Sequence, residues 1–161
     1  MFDRELRLYE FLGGYGALLT ADLSDDQLTV QPSPGVNPPL WILGHLCVVA
    51  DGGLKLLGAP RLRPLTWHRD FGRGSEPGRH QIATPGRADL VAAYQEGHAA
   101  LTRAAAAATA EFANAPNQTG ILPQLGTLGD LLAHVLTTHE AMHLGQLSAW
   151  RRQMGLAGVL G

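Results

Sequence analysis

The sequence predicts an all-α protein: a four-helix bundle, in one domain over residues 1–161, with a long connection between its second and third helices. Four segments carry apolar residues at helical spacing, and breaker-rich connections of unequal length separate them. The chain shows no convincing period-two alternation of the kind that strands produce. Helices with one apolar stripe bury it against one another, which is why a bundle is expected.

Composition excludes several classes of partner. Charged residues make up 16% of the 161 residues and the net charge is −2, so neither a nucleic-acid footprint nor a polyanion partner is indicated. Cys47 is the single cysteine, which rules out an internal disulfide framework and fits a reducing compartment. No export signal or membrane span is evident. We therefore expect a cytoplasmic protein without a membrane partner.

The first half of the chain predicts two helices. Residues 3–20 have helical apolar spacing, and residues 24–39 hold too many prolines for a regular element. Asn37 is the expected N-cap of the second helix, with Pro38 at its first position and a stop near Gly58. His45 is the polar member of an otherwise apolar face on this helix.

A connection rich in glycine, proline and arginine follows over residues 59–86. Its arginines suit either an anionic substrate group or a solvated surface loop, and they are Arg61, Arg63, Arg69, Arg73 and Arg79. A third helix is expected to begin at Thr84 and Pro85, to continue through an alanine run and to end near Phe112. His98 lies on its apolar face and rivals His45 as an inward histidine.

The fourth helix has both ends marked. Thr127 and Asp130 resemble a capping box, and Gly155 stands where a left-handed C-terminal residue belongs. At about 100° per residue its inward stripe contains His139, His143 and Gln146. The apolar members of this stripe are Leu128, Leu132, Val135, Leu136, Leu147 and Trp150. His134 is expected on the opposite, solvent-facing side.

Two histidines one turn apart on an apolar face need a partner, because a buried imidazole without one costs about 1–3 kcal/mol. A metal ion is the simplest partner, since side chains at i and i+4 point the same way. Hydrogen bonds to hydroxyl or carbonyl groups elsewhere in the core are the alternative. If a metal ion is bound, its third protein ligand would be His45 or His98.

The same histidines form the pattern H-E-x-x-H of zinc peptidases, with Glu140 as the general base. Zinc in such enzymes needs a third protein ligand, which the common classes supply after the motif. Residues 144–161 contain no His, Asp, Glu or Cys, which counts strongly against those classes. Glu140 is therefore expected either on the helix surface or as a carboxylate that supports the ligands from outside.

The segments NPPLWILGHL and HEAMHLGQLSAWRRQMG resemble the DinB/YfiT-like superfamily of metalloenzymes, whose members are four-helix bundles. The resemblance implies that His45, His139 and His143 hold a divalent metal and that Gln146 matches a glutamine frequent after the last ligand. His98 has no counterpart in that family. The ion expected is zinc, nickel or iron, which suit a three-imidazole site alike.

The resemblance further implies a thiol S-transferase that joins a small thiol, of the bacillithiol or mycothiol type, to a small electrophile. Three neutral ligands leave the ion with its full charge and open positions, where a bound thiol becomes nucleophilic. A homodimer is also implied. A purely structural ion and a metal-free interaction module are the alternatives. Cys47 is expected to be a buried inert thiol, and Gly52 to give either room for substrate or a close helix contact.

Overall fold

A computed structural model describes residues 1–79 and 82–160 and places four long helices in one bundle. No β-strand is present in these two ranges, which confirms the all-α prediction. The first three long helices are α1 (Asp3–Thr20), α2 (Pro39–Leu56) and α4 (Arg87–Ala106). The fourth consists of α6 (Leu128–His134), a π-helical turn (Val135–His139) and α7 (Glu140–Gln153).

The bundle does not follow a simple ring order. Helix α1 packs between α4 and α7, and α2 packs between the same two helices. The consecutive helices α1 and α2 therefore lie across the bundle from each other. The long connection from α2 to α4 that the sequence predicted is present, although these two helices pack against each other. The arrangement also brings α2 and α7 side by side, which places their histidines on one shared face.

The predicted ends of the fourth helix are confirmed. The hydroxyl of Thr127 accepts from the backbone N–H of Asp130, whose carboxylate accepts from the N–H of Thr127 in return. Gly155 follows the helix with φ at 72°, the left-handed conformation that glycine adopts without strain. Local chemistry at both ends therefore sets where this helix begins and stops.

The predicted start of the second helix is wrong by one residue. Pro38, not Asn37, is the N-cap, and the helix begins at Pro39. A residue that precedes proline is disfavoured in helical conformation, and Pro38 is accordingly extended with ψ at 158°. Proline at the first helical position costs nothing, since its missing N–H would have no partner there.

The connections contain more structure than predicted. A 3₁₀ turn covers Asp26–Thr29, and the short helix α3 (Leu65–Phe71) interrupts the long connection. The third helix starts at Arg87 rather than Thr84, and it ends at Ala106 instead of continuing to Phe112. A separate helix α5 (Ala110–Asn114) follows, because the hydroxyl of Thr109 accepts from the N–H of Phe112 and caps a new start.

Two apolar clusters fill the bundle. One lies mainly between α2 and α7, and the other surrounds Leu101 and Leu136 among α1, α2, α4 and the π turn. Helix α2 is long and apolar enough to cross a membrane by length and composition alone. Of its residues, 72% are buried inside the fold, as in the core helix of a globular protein.

Candidate metal centre

The structure brings the three predicted ligands together at the contact of α2 with α7. One ring nitrogen each from His45, His139 and His143 lies within 4.8 Å of the others. In the part of the chain that the structure describes, no carboxylate or thiol joins this cluster. That the cluster binds a metal ion stays a prediction at this point.

The orientation of His45 follows from a backbone group. Its Nδ1 lies 2.7 Å from the carbonyl oxygen of Phe71, and the residue is 7% exposed. A carbonyl only accepts, so Nδ1 carries the proton and Nε2 keeps its lone pair. That Nε2 faces the Nε2 of His139 at 3.4 Å. The carbonyl therefore turns the coordinating nitrogen of His45 into the cluster.

An amide side chain does the same for His143. Its Nδ1 lies 3.3 Å from Oε1 of Gln146, which also accepts from the side-chain amide of Asn37 at 3.1 Å. A histidine that donates through Nδ1 offers Nε2 as a ligand, and such outer contacts fix its tautomer. Gln146, singled out in the sequence, thus contacts a predicted ligand, while Asn37 was predicted only as a helix cap.

The ring of His139 is the least satisfied of the three. Its Nδ1 is buried and has no hydrogen-bond partner among the described residues. Its Nε2 meets only the lone pair of His45, and at most one proton can be shared between two such nitrogens. The three converging nitrogens carry more lone pairs than protons, so the space between them is rich in electrons. A divalent cation would bind favourably in such a space.

Burial keeps these imidazoles neutral. It lowers the pKa of His139 to about 3, with further lowering from the neighbouring His143 and His45. Burial and the nearby His45 lower the pKa of His143 to about 4. The pKa of His45 is also lowered by burial, partly offset by its bond to Phe71. All three rings are therefore in the form that binds metal at neutral pH.

The long connection closes one side of the cluster. Trp41 stacks parallel to His45, with ring centroids 4.8 Å apart, and its indole N–H donates to Ser75 at 2.9 Å. Together with the Phe71 carbonyl, this contact attaches residues 71–75 to the histidines. The role of Phe71 could not be predicted from the sequence, because every residue type has a backbone carbonyl. The proximity of Ser75 likewise carried no local signal.

The π turn before α7 was not predicted, and it changes the surroundings of His139. A π turn closes between residues five apart, so His134 and His139 lie on the same side of it. Their rings meet edge to face with centroids 5.6 Å apart. The prediction that His134 lies on the side opposite His139 is therefore wrong, although His134 keeps contact with solvent. It is half-buried, and its Nδ1 lies 2.6 Å from the hydroxyl of Thr138.

Glu140 points away from the cluster and into the bundle. The helix-surface position considered for it is wrong, since the residue is 3% exposed. Its carboxylate accepts from the hydroxyl of Tyr94 at 2.5 Å and lies 2.9 Å from Nε2 of His98. His98 is inward as predicted, but it joins Glu140 rather than the cluster. The general-base role of a zinc peptidase is absent from this geometry.

Three of the connection's arginines have carboxylate partners, namely Arg63 with Glu96, Arg69 with Asp70 and Arg79 with Glu76. Gly52 is exposed and has open space around it, so the close helix contact considered for it is absent, and room for substrate there stays a prediction. The close helix contact is made at Gly53, where an added Cβ would come 2.9 Å from Leu101. Cys47 is buried as predicted.

Comparisons with known proteins agree with this fold. The sequence model of the DinB superfamily matches residues 17–147. No curated protein matches the chain in sequence. Among solved structures, the chain is similar to YfiT from Bacillus subtilis, described as a probable metal-dependent hydrolase with an unusual four-helix bundle topology. The TM-score is 0.64 over 96% of this chain and 88% of YfiT, with 18% identity.

Proposed function

Because this chain belongs to the DinB superfamily, we propose that it is a divalent-metal-dependent enzyme that joins a low-molecular-weight thiol to a small electrophile. The observation that carries the proposal is the convergence of three neutral imidazoles at the contact of α2 and α7. His45, His139 and His143 would hold the ion, which is zinc, nickel or iron. When bound, the ion would lower the pKa of a coordinated thiol and supply a nucleophile near neutral pH.

The placement of carboxylates favours thiol transfer over hydrolysis. Activation of water profits from a general base, which hydrolases commonly take from a carboxylate. Within residues 1–79 and 82–160, each buried carboxylate is engaged elsewhere: Asp51 with backbone N–H groups and His68, Asp70 with Arg69, and Glu140 with Tyr94 and His98. A thiol is acidic enough to react without such a base.

The net reaction balances without an oxidant or reductant. The thiol loses its proton, its sulfur forms a bond to the electrophilic carbon, and the leaving group departs with the bonding electron pair and takes up a proton. This chain's own residues would hold the reactants. The Trp41 ring lies against His45, and Arg73 lies in sequence between Phe71, whose carbonyl contacts His45, and Ser75, which contacts Trp41. Arg73 is exposed and suits the carboxylates of a bacillithiol-type or mycothiol-type thiol.

Metal analysis combined with thiol consumption tests the proposal. Purified protein reloaded with nickel or zinc should hold about one ion per chain and should accelerate the reaction of bacillithiol, mycothiol or cysteine with monobromobimane. His139→Ala should abolish both properties. His68→Gln is the matched control, because His68 lies outside the cluster and contacts Asp51. Wild-type protein that binds no metal, or that binds it and consumes none of these thiols, would contradict the proposal.

A structural ion is the competing proposal. In that case the ion would connect α2 to α7, its removal would lower stability strongly, and no thiol or ester substrate would turn over. Activity distinguishes the two, since both predict metal binding. We further propose a cytoplasmic protein that forms a homodimer and binds neither nucleic acid nor membrane. Sedimentation equilibrium tests the dimer.

A further inference from the structure

A buried polar contact links α4 to α7 through the centre of the bundle. Glu140 of α7 accepts hydrogen bonds from the Tyr94 hydroxyl and from Nε2 of His98, two residues one turn apart on α4. A carboxylate in the core is costly unless it is fully hydrogen-bonded. These two donors are therefore what keeps Glu140 inside, although neither residue touches the histidine cluster.

Helix α1 is shaped to leave room for this contact. A Cβ added at Gly13 would come 2.8 Å from Nδ1 of His98, and one added at Gly16 would come 2.6 Å from the Tyr94 hydroxyl. Tyr9 of the same helix stacks on the His98 ring, with centroids 3.7 Å apart and planes 11° apart. The carboxylate and its donors are thus enclosed by three helices.

The π turn places Glu140 inside the bundle, next to Tyr94 and His98. One extra residue in a turn changes the helix register by about 100° relative to an uninterrupted α-helix. After the turn, the buried positions are Glu140, His143, Leu144, Leu147, Trp150 and Arg151, whereas His139 is only half-buried and Gln146 is exposed. The uninterrupted helix predicted from sequence placed His139 and Gln146 inside and Glu140 outside. The π turn and the burial of Glu140 therefore occur together.

We infer that Glu140, Tyr94 and His98 are positioning residues, which hold the π turn and so aim His139 and His143 at His45. Without its donors, Glu140 is more stable in water than in the core, and a rotation of α7 that exposes it carries His139 with it. The inference rests on the metal binding in the proposed function, and it concerns how that site is held in shape.

The test uses Glu140→Leu, Glu140→Gln and Tyr94→Phe, with Leu101→Ala as the matched control. Leu101 lies one turn after His98 on α4 and is fully buried, so its truncation destabilises the same helix without touching the contact. The Kd for Co²⁺ is measured by chelator competition, together with the visible spectrum of the bound ion. Removal of an outer contact to a metal site weakens binding about 10–100-fold.

We expect a weakening of that size with an altered Co²⁺ spectrum in Glu140→Leu, a smaller change in Glu140→Gln and Tyr94→Phe, and a Kd within about twofold of wild type in Leu101→Ala. Equal Kd values and spectra in Glu140→Leu and Leu101→Ala would overturn the inference. Wild-type protein without Co²⁺ binding would instead overturn the proposed function.

A measurement on the metal-free protein tests the inference independently of metal binding, so it distinguishes a failure of the inference from a failure of the proposed function. Amide hydrogen exchange over residues 135–143 reports on the π turn itself. Exchange there should be faster in Glu140→Leu than in Leu101→Ala when the two variants are compared at equal global stability. Equal exchange in the two variants would show that the contact does not hold the turn.

Discussion

The Nδ1 of His45 donates to the carbonyl oxygen of Phe71 at 2.7 Å, so a predicted metal ligand on α2 takes its orientation from the end of α3. The two residues are 26 positions apart in sequence. The long connection is therefore part of the site, and not only a link between helices. Any change that moves the Phe71 backbone should change the direction in which His45 offers its Nε2.

Gly44→Ala should disturb this relationship. A Cβ added at Gly44 would come 2.6 Å from the Phe71 ring, so the ring and its backbone must shift. Overpacking of this kind costs about 1–3 kcal/mol of stability. We expect the free energy of unfolding to fall by that amount and Ni²⁺ affinity to fall several-fold, as measured by urea denaturation and chelator competition.

Two other glycines of α2 provide controls for this prediction. Gly52→Ala adds a methyl group in open space, so it should stabilise the helix by up to about 1 kcal/mol and leave Ni²⁺ affinity unchanged. Gly53→Ala would press on Leu101 at 2.9 Å, which is a comparable steric conflict away from the site. If Gly53→Ala lowered Ni²⁺ affinity as much as Gly44→Ala, the role assigned to Phe71 would be wrong.

The metal-free protein should lose stability as the pH falls below about 6.5. Unfolded histidines take up protons with a pKa of 6.5, whereas burial keeps the pKa of His143 at about 4 and that of His139 at about 3. The unfolded state then binds more protons, so the free energy of unfolding decreases with falling pH. The loss is at most about 1.4 kcal/mol per pH unit for each ring. Urea denaturation with a chelator present, between pH 7.5 and pH 4.5, measures it.

The variant His139→Gln/His143→Gln separates the effect of histidine protonation on the free energy of unfolding from the effect of carboxylate protonation. It should show a shallower fall in stability over the same pH range, because its two glutamines do not titrate. An identical slope in the variant and in wild type would mean that other groups cause the acid sensitivity.

Much of the fold was predictable because its signals are local. The Thr127 and Asp130 cap, the left-handed Gly155 and the spacing of apolar residues determine the fourth helix within a few neighbouring positions. The i, i+4 spacing likewise puts His139 and His143 on one face whatever surrounds them. That His45 completes the cluster came from the family resemblance, since helix periodicity left His98 as a rival.

The π turn and its consequences were not predictable in this way. Helical periodicity assumes one residue every 100°, and no residue type in the segment VLTTH indicates a turn wider than that of an α-helix. Its cause lies in contacts with α4, where Tyr94 and His98 reach Glu140. The wrong surface position of Glu140 and the wrong side of the helix for His134 both follow from this wider turn.

Cys47 should be unreactive in the folded protein. It is 2% exposed, and burial raises the pKa of its thiol to about 12. Because the thiolate is the reactive form, labelling by Ellman's reagent should require unfolding. The rate should rise with urea in parallel with the loss of helical circular dichroism. Rapid labelling in the absence of urea would contradict the buried position of Cys47.

Arg151 should contribute more to stability than any other charged residue at this end of the bundle. It is 2% exposed, and its guanidinium donates to the carbonyl of Leu19, to the carbonyl of Ala157 and to both carboxylate oxygens of Asp22. One side chain thus connects α7, the end of α1 and the C-terminal tail. Arg151→Met would remove the donor from the buried Leu19 carbonyl and from the partly buried Ala157 carbonyl.

We expect Arg151→Met to lower the free energy of unfolding by about 2–3 kcal/mol, the upper part of the range for leaving a buried acceptor without its donor. Asp22→Asn should cost only about 1 kcal/mol, because Asp22 is 56% exposed and water screens its charge. Ni²⁺ affinity should stay unchanged in both, since Arg151 lies two turns beyond His143. A cost for Asp22→Asn equal to that for Arg151→Met would instead assign the stabilisation to the ion pair and not to the carbonyl contacts.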